Sequence, residues 1–238
     1  MSKIITLISG EFIRLYKYKV LQVSLAVTAI WMVVAGLVSK DEAILISPFL
    51  ILTDITMMAS LLLAASCFFE KQEGTLLSTI VSPVRLLDII VAKYIVYTIY
   101  GTISGLLVSI ILISVHNISI NIGLVLLYSF LICINSCTLG YIFISISKDF
   151  NTVLMALMGT VMVLSAPSVV FYLGLIPEWT KYILFLSPYH VAYLLIVSTM
   201  GSVSLVDTLV SIAYLIVVTL PLIYFGVIRR YRAFVLRG

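Results

Sequence analysis

Charge is what this chain has least of. Only 10% of its 238 residues are charged, 14 basic and 10 acidic, while 63% are hydrophobic. A soluble domain carries about 25% charged residues. Runs of eighteen or more residues with little or no charge recur, as membrane-crossing helices require. They are too long and too little alternating for a transmembrane barrel. Cysteine is scarce as well, three in all. Cys133 and Cys137 stand four apart on one helix face and read as small packing residues, since no histidine or further thiol is near them in sequence. The two histidines, His116 and His190, are far apart, and both are expected on the outer side. There is no HExxH and no Gly-rich loop ending in Gly-Lys-Ser/Thr, so nothing assigns metalloprotease chemistry or nucleotide hydrolysis to this chain. A buried acid pair or Ser/His arrangement for intramembrane proteolysis is also missing, and Ser104 and Ser165 read as helix-packing residues. The chain is expected not to be an enzyme and to bind no cofactor or metal. Its net charge of +4 comes from small basic groups at the ends of apolar segments, not from one patch, which argues against nucleic acid.

What is present is an all-α polytopic membrane protein, read as one domain over residues 1–238. Residues 3–19 are too charged to span. At about 100° per residue, Ile4, Ile5, Ile8, Phe12, Leu15 and Tyr16 share one arc, opposite Lys3, Thr6, Gly10, Arg14 and Lys17. This predicts an amphipathic helix in the membrane interface. With Glu11 and Lys19, this stretch precedes an apolar run of span length, which reads as a retained anchor and not a cleaved signal. Six spans follow, at about 20–38, 48–69, 91–113, 120–145, 153–173 and 208–228. The link Ser39–Ala43 is read as polar, and Pro48 as lying near the first turn of the second span, where its missing donor is harmless. Residues 174–207, interrupted by Pro188 and His190, are read as re-entrant helices whose broken backbone at Ser187–Pro188 must be buried by protein. Six spans place both termini on one side. That side collects Lys3, Arg14, Lys17, Lys19, Lys71, Arg85, Lys93, Lys148, Arg229, Arg230, Arg232 and Arg237, against Lys40 and Lys181 on the other. The bias predicts cytoplasmic termini in a multi-pass cell-membrane protein, with a prokaryotic source the expectation.

The one long charged interruption is residues 69–93, FEKQEGTLLSTIVSPVRLLDIIVAK. Between Gly74 and Pro83 runs an apolar stripe of Leu76, Leu77, Ile80 and Val81, which suits a short helix docking into a groove and ending at the proline. Glu70 and Glu73 are expected to pair either with basic groups on a partner or with nearby Arg and Lys. Asp54 is one ionisable residue set some four turns above the inner end of the second span. It is either a gating, dimer-interface or substrate contact facing the bundle interior, or it lies near the outer interface because the span begins later. Tyr94, Tyr97 and Tyr100 recur every three residues in the third span, as a pathway face or as an interface belt. Pro167 and Pro221 are expected to bend or locally unwind their spans. Tyr16, Tyr18, Trp179, Tyr182 and Tyr231 read as interfacial anchors.

The run Glu70-Lys71-Gln72-Glu73-Gly74-Thr75-Leu76, then Ser82-Pro83 and Lys93, resembles the signature of the ABC-2 type transporter permeases. Leu186-Ser187-Pro188 with Tyr189-His190 resembles that family's element before the last span. The resemblance implies the membrane-spanning subunit of an ATP-driven exporter, with ATP and Mg bound by a separate cassette ATPase subunit. It implies that residues 73–82 (Glu73, Gly74, Thr75, Leu76, Leu77, Ile80, Val81, with Glu70 before and Pro83 after) form the coupling helix. It also implies that 3–19 is a connecting helix, and that two permeases, identical or homologous, pair in the lipid membrane. Asp54, Tyr97 and Pro188 are the candidate translocation or gating residues. The short outer loops favour a small amphipathic or hydrophobic cargo, a drug or peptide, with a lipid or lipid-linked molecule as the second choice. The competing reading is an ATPase-independent membrane protein, either a secondary transporter, which would favour inverted repeats and several midplane sites, or a bacteriocin or peptide immunity component.

Overall fold

A computed structural model describes residues 2–75 and 85–230. The expectations for Leu76, Leu77, Ile80, Val81 and Pro83, and for the tail from Tyr231 on, lie outside the described residues. Among the described residues the regular elements are all helical. Helix α1 covers Ser2–Lys17. Six helices are long and apolar enough to cross a bilayer: α2 (Val20–Leu37), α3 (Lys40–Gln72), α4 (Leu86–His116), α5 (Ile122–Ile146), α6 (Phe150–Tyr172), and α9 (Leu205–Pro221) with its continuation to Ile228. Two short helices, α7 (Thr180–Leu184) and α8 (Pro188–Ser198), precede α9. This is a multi-pass membrane protein with six apolar helices.

Helix α3 is the axis of the bundle. From Leu50 to Phe68 nearly every residue is buried, and α2, α4, α5, α6 and α8 all pack against it. A helix apolar on all sides belongs at such a centre. Helix α4 comes closest because its facing positions are glycines. A Cβ on Gly105 would stand 2.4 Å from Cγ1 of Ile55, and one on Gly101 2.6 Å from Sγ of Cys133. Small residues draw helix backbones together in lipid, where packing takes over from the hydrophobic effect. Cys133 and Cys137 are buried free thiols within this packing.

Two expectations need correction. The supposed link at 39–43 is mostly helix, and α3 starts at Lys40, eight residues before Pro48. Glu42 explains the early start. It accepts from the Ser39 backbone N–H at 3.1 Å and from the Ser39 hydroxyl at 2.7 Å, and with Asp41 it lies at the positive end of the helix dipole. Pro48 therefore sits inside the helix, not in its first turn. The carbonyl it leaves unpaired, that of Ile44, accepts from the Ser47 hydroxyl at 3.1 Å instead. In α9 the chain widens into a π-helical stretch, Leu222–Ile228, directly after Pro221.

The segment 174–207 contributes no further span. Eleven residues give α8 a length of about 16 Å, roughly half a bilayer core. It is buried from Tyr189 to Val197. Pro188 occupies its first turn, and the Ser187 hydroxyl oxygen accepts from the His190 N–H at 3.4 Å. At its far end the Asn121 N–H donates to the Thr199 carbonyl at 3.0 Å, anchoring α8 to the start of α5.

Candidate functional site

At the end of α3 marked by Glu70, three helices meet around a closed ionic cluster. Lys93, eight positions into α4 and 0% exposed, donates to Glu11 of α1 at 3.0 Å, to Glu70 at 2.7 Å and to the Ser66 hydroxyl at 2.9 Å. Glu11 is also nearly sealed, yet its Oε2 takes two further donors, Ser66 at 3.2 Å and Tyr97 at 3.1 Å. Its Oε1 accepts from Arg14 at 3.2 Å, and Arg14 also pairs with Glu70. Two carboxylates and two cations thus balance to zero, with the donors and acceptors of the buried groups engaged. Such closure is what allows charge to persist away from water. Burial pushes the Glu11 carboxyl upward, but Lys93 and Arg14, with the hydrogen bonds from Lys93 and Tyr97, outweigh it and hold it below its ordinary value. Burial pulls Arg14 down, and the Glu70 and Glu11 carboxylates more than offset this, so it titrates above its usual range.

The cluster fixes how α1 sits. The arc of Ile4, Ile5, Ile8, Phe12, Leu15 and Tyr16 coincides only in part with the face that packs. Ile5 and Tyr16 are exposed, whereas Glu11 and Leu15 are buried and Arg14 and Tyr18 partly so. At 100° per residue the packed face is rotated by roughly 60° toward Glu11. The ion pairs draw α1 round, and the Phe12 ring meets Tyr100 of α4 at 5.6 Å while Tyr18 stacks on Phe69 of α3 at 5.1 Å. The Tyr18 hydroxyl donates to Glu73. Burial and that carboxylate push the phenol up to about 12.

Beyond Glu73 the chain turns sharply. Gly74 adopts φ +69°, a left-handed conformation that ends α3 as glycine readily does, and Thr75 is again helical, its hydroxyl donating back to the Glu70 carbonyl at 3.1 Å. Of the coupling residues expected from sequence, Glu70, Glu73, Gly74 and Thr75 therefore gather at this corner. Glu70 finds its partners within the chain, in Arg14 and Lys93, which decides between the two pairings the sequence left open.

The other candidates lie apart. Asp54 is 0% exposed, in the middle of α3. It accepts from Ser104 of α4 and from Thr28 of α2 at 3.4 Å, and those two hydroxyls are 2.7 Å apart. Tyr97 belongs to the ionic cluster. The three tyrosines fan out: Tyr94 bonds Thr138 of α5 at 2.8 Å, Tyr97 bonds Glu11, and Tyr100 faces Phe12. Pro188 lies in the first turn of α8, where the following Tyr189 packs against Met57 of α3 and Val161 of α6. Sequence reading missed Glu11 as a site residue, although an acid at the edge of the apolar arc of an otherwise basic helix was a visible signal. Ser66 gave none. No cluster of three or more His, Cys, Asp or Glu able to hold a metal occurs among the described residues.

Compared with known families, residues 2–201 match the model described as ABC-2 type transporter. No curated protein and no solved structure matches the chain.

Proposed function

The chain belongs to the ABC-2 type transporter family, and from that premise we propose that it is the permease subunit of an ATP-driven exporter powered by a separate cassette ATPase. The observation that carries this reading is the buried cluster of Glu11, Arg14, Glu70 and Lys93. It joins α1, α3 and α4 at the corner where Glu73, Gly74 and Thr75 follow α3. A push by a partner on the chain beyond this corner is delivered to both helices at once, because Lys93 ties the end of α3 to α4, and to α1 through Glu11 and Arg14. A closed set of buried charges moves as a unit or breaks discretely, since removing one partner strands another. Glu70 acts here as a positioning residue, leaving the stripe of Leu76, Leu77, Ile80 and Val81 to meet the ATPase groove.

In this reading the basic excess sets the cluster end and both termini in the cytoplasm. Helix α1 is the interfacial connecting helix, and α7–α8 form the re-entrant pair on the outer side. Much of α2, α6 and α9 is exposed, leaving apolar faces for lipid and for a second permease, identical or homologous. The short outer connections favour a small amphipathic or hydrophobic cargo.

The test is co-purification of the chain with a cassette ATPase, followed by ATP-driven transport. Replacing Leu77→Asp or Ile80→Asp is expected to release the ATPase while the permease still inserts and elutes as a folded species. A retained complex with full ATP-driven transport overturns the coupling assignment.

A further inference from the structure

At the end of the bundle opposite the ionic cluster lies a cavity of about 670 Å³, formed by the end of α6, by α7 and α8, and by the start of α9. Its walls are aromatic, with Phe171, Tyr172, Trp179 and Tyr182. Its inner end is formed by His190 and Leu194. His190 is 0% exposed, and its Nδ1 lies 2.9 Å from the Ser168 hydroxyl. Nε2 has no hydrogen-bond partner among the described residues. A buried imidazole nitrogen left this way is costly, yet the fold keeps this unsatisfied polar atom against an aromatic cavity. The charges at the rim are Glu178, Lys181 and Asp207. Lys181 is neutralised by Asp207 at 3.0 Å, and Glu178 makes no ion pair among the described residues. One carboxylate is thus left over, and no unpaired cation is offered to an anion.

We propose that this cavity is a binding site for a small organic cation, an aromatic or apolar body carrying an ammonium group. The body stacks among Trp179, Tyr182 and Tyr172, whose ring faces attract positive charge, and Glu178 supplies the free countercharge. An N–H of the occupant that reaches the inner end donates to Nε2 of His190, with Nδ1–H donating to Ser168. The site depends neither on the ATPase nor on transport, because binding is measured on this chain alone.

The experiment uses the full chain in nanodiscs of zwitterionic lipid and two probes sharing one fluorophore, dansylcadaverine (a cation) and dansylglycine (an anion). Energy transfer from tryptophan to dansyl reports binding. Dansylcadaverine is expected to bind saturably and at least tenfold more tightly than dansylglycine. Glu178→Gln, at an exposed position that leaves folding intact, is expected to weaken the cation several-fold and leave the anion unchanged. His190→Phe, checked for monodisperse elution, is expected to weaken the cation further. Equal affinity for both probes, indifference of the cation to Glu178→Gln, or a signal that grows linearly as in empty nanodiscs overturns the proposal.

Discussion

Replacing Lys93 by methionine tests the central feature of the structure most sharply. Methionine keeps most of the stem volume but removes a fully buried cation, and with it three donated hydrogen bonds. Glu11 and Glu70 are left to share Arg14, whose side chain is 37% exposed and cannot follow them inward. Breaking a buried pair on one side costs about 3–5 kcal/mol. At 1.4 kcal/mol per power of ten, that lowers the docked population of α1 by roughly two to four orders of magnitude. Amide hydrogen exchange over residues 2–17 of the full chain in nanodiscs reads this directly, as lost protection in α1 while the middle of α3 stays protected. The decisive arm is the double variant Lys93→Met with Glu11→Gln. Removing the stranded carboxylate leaves Glu70 with Arg14, a balanced pair, so much of the loss is expected to return, a coupling of about 2 kcal/mol or more. If the two losses simply add, or if Lys93→Met leaves α1 protected, the cluster does not hold α1.

Two further outcomes follow from the same geometry. Glu11 titrates below its ordinary value of 4.5 in the folded chain, so its stabilisation is fully present above that value and is lost as pH falls through the lower, folded one. A spin label at Ser9→Cys is therefore expected to stay immobile at neutral pH and to gain mobility only in acid below 4.5, and a transition centred near neutrality would contradict the assignment. At the α3–α4 contact, Gly105→Ala is expected to destabilise by about 1–3 kcal/mol through overpacking. Ile55→Ala in the same chain should recover part of it, because the clash is with the Ile55 side chain, and a thermal scan showing no recovery would place the strain elsewhere.

The spans were legible because length and hydropathy are local properties, and all but the second fell within a few residues of their helices. The start of α3 was misplaced although its signal, Ser39 followed three residues later by Glu42, was in view. The proline drew the boundary to itself, and the Ser47 hydroxyl that makes Pro48 tolerable inside a helix was not weighed. The face of α1 was misjudged for a different reason. A hydrophobic arc assumes that burial follows apolarity, whereas Glu11 is buried by a lysine 82 positions away, and no periodicity within α1 carries that information. Asp54 shows the same limit, since Thr28 and Ser104 lie 26 and 50 residues from it and are ordinary hydroxyls in the sequence.

The charged run at 69–93 was the clearest feature of the sequence, and its internal pairing changes what its charges mean. Glu70 and Lys93 meet at 2.7 Å, so they tie the end of α3 directly to α4. Charges used this way cannot also be offered to a partner without breaking a buried network. In the proposed coupling, the partner-facing chemistry is left to the apolar stripe between Gly74 and Pro83. Gly74 turns the chain at the end of α3, and the quartet fixes that end to α1 and α4. Glu73 is bound to Tyr18 at the outer margin of the cluster. It is therefore the acid that can exchange an internal partner for an external one at the least cost.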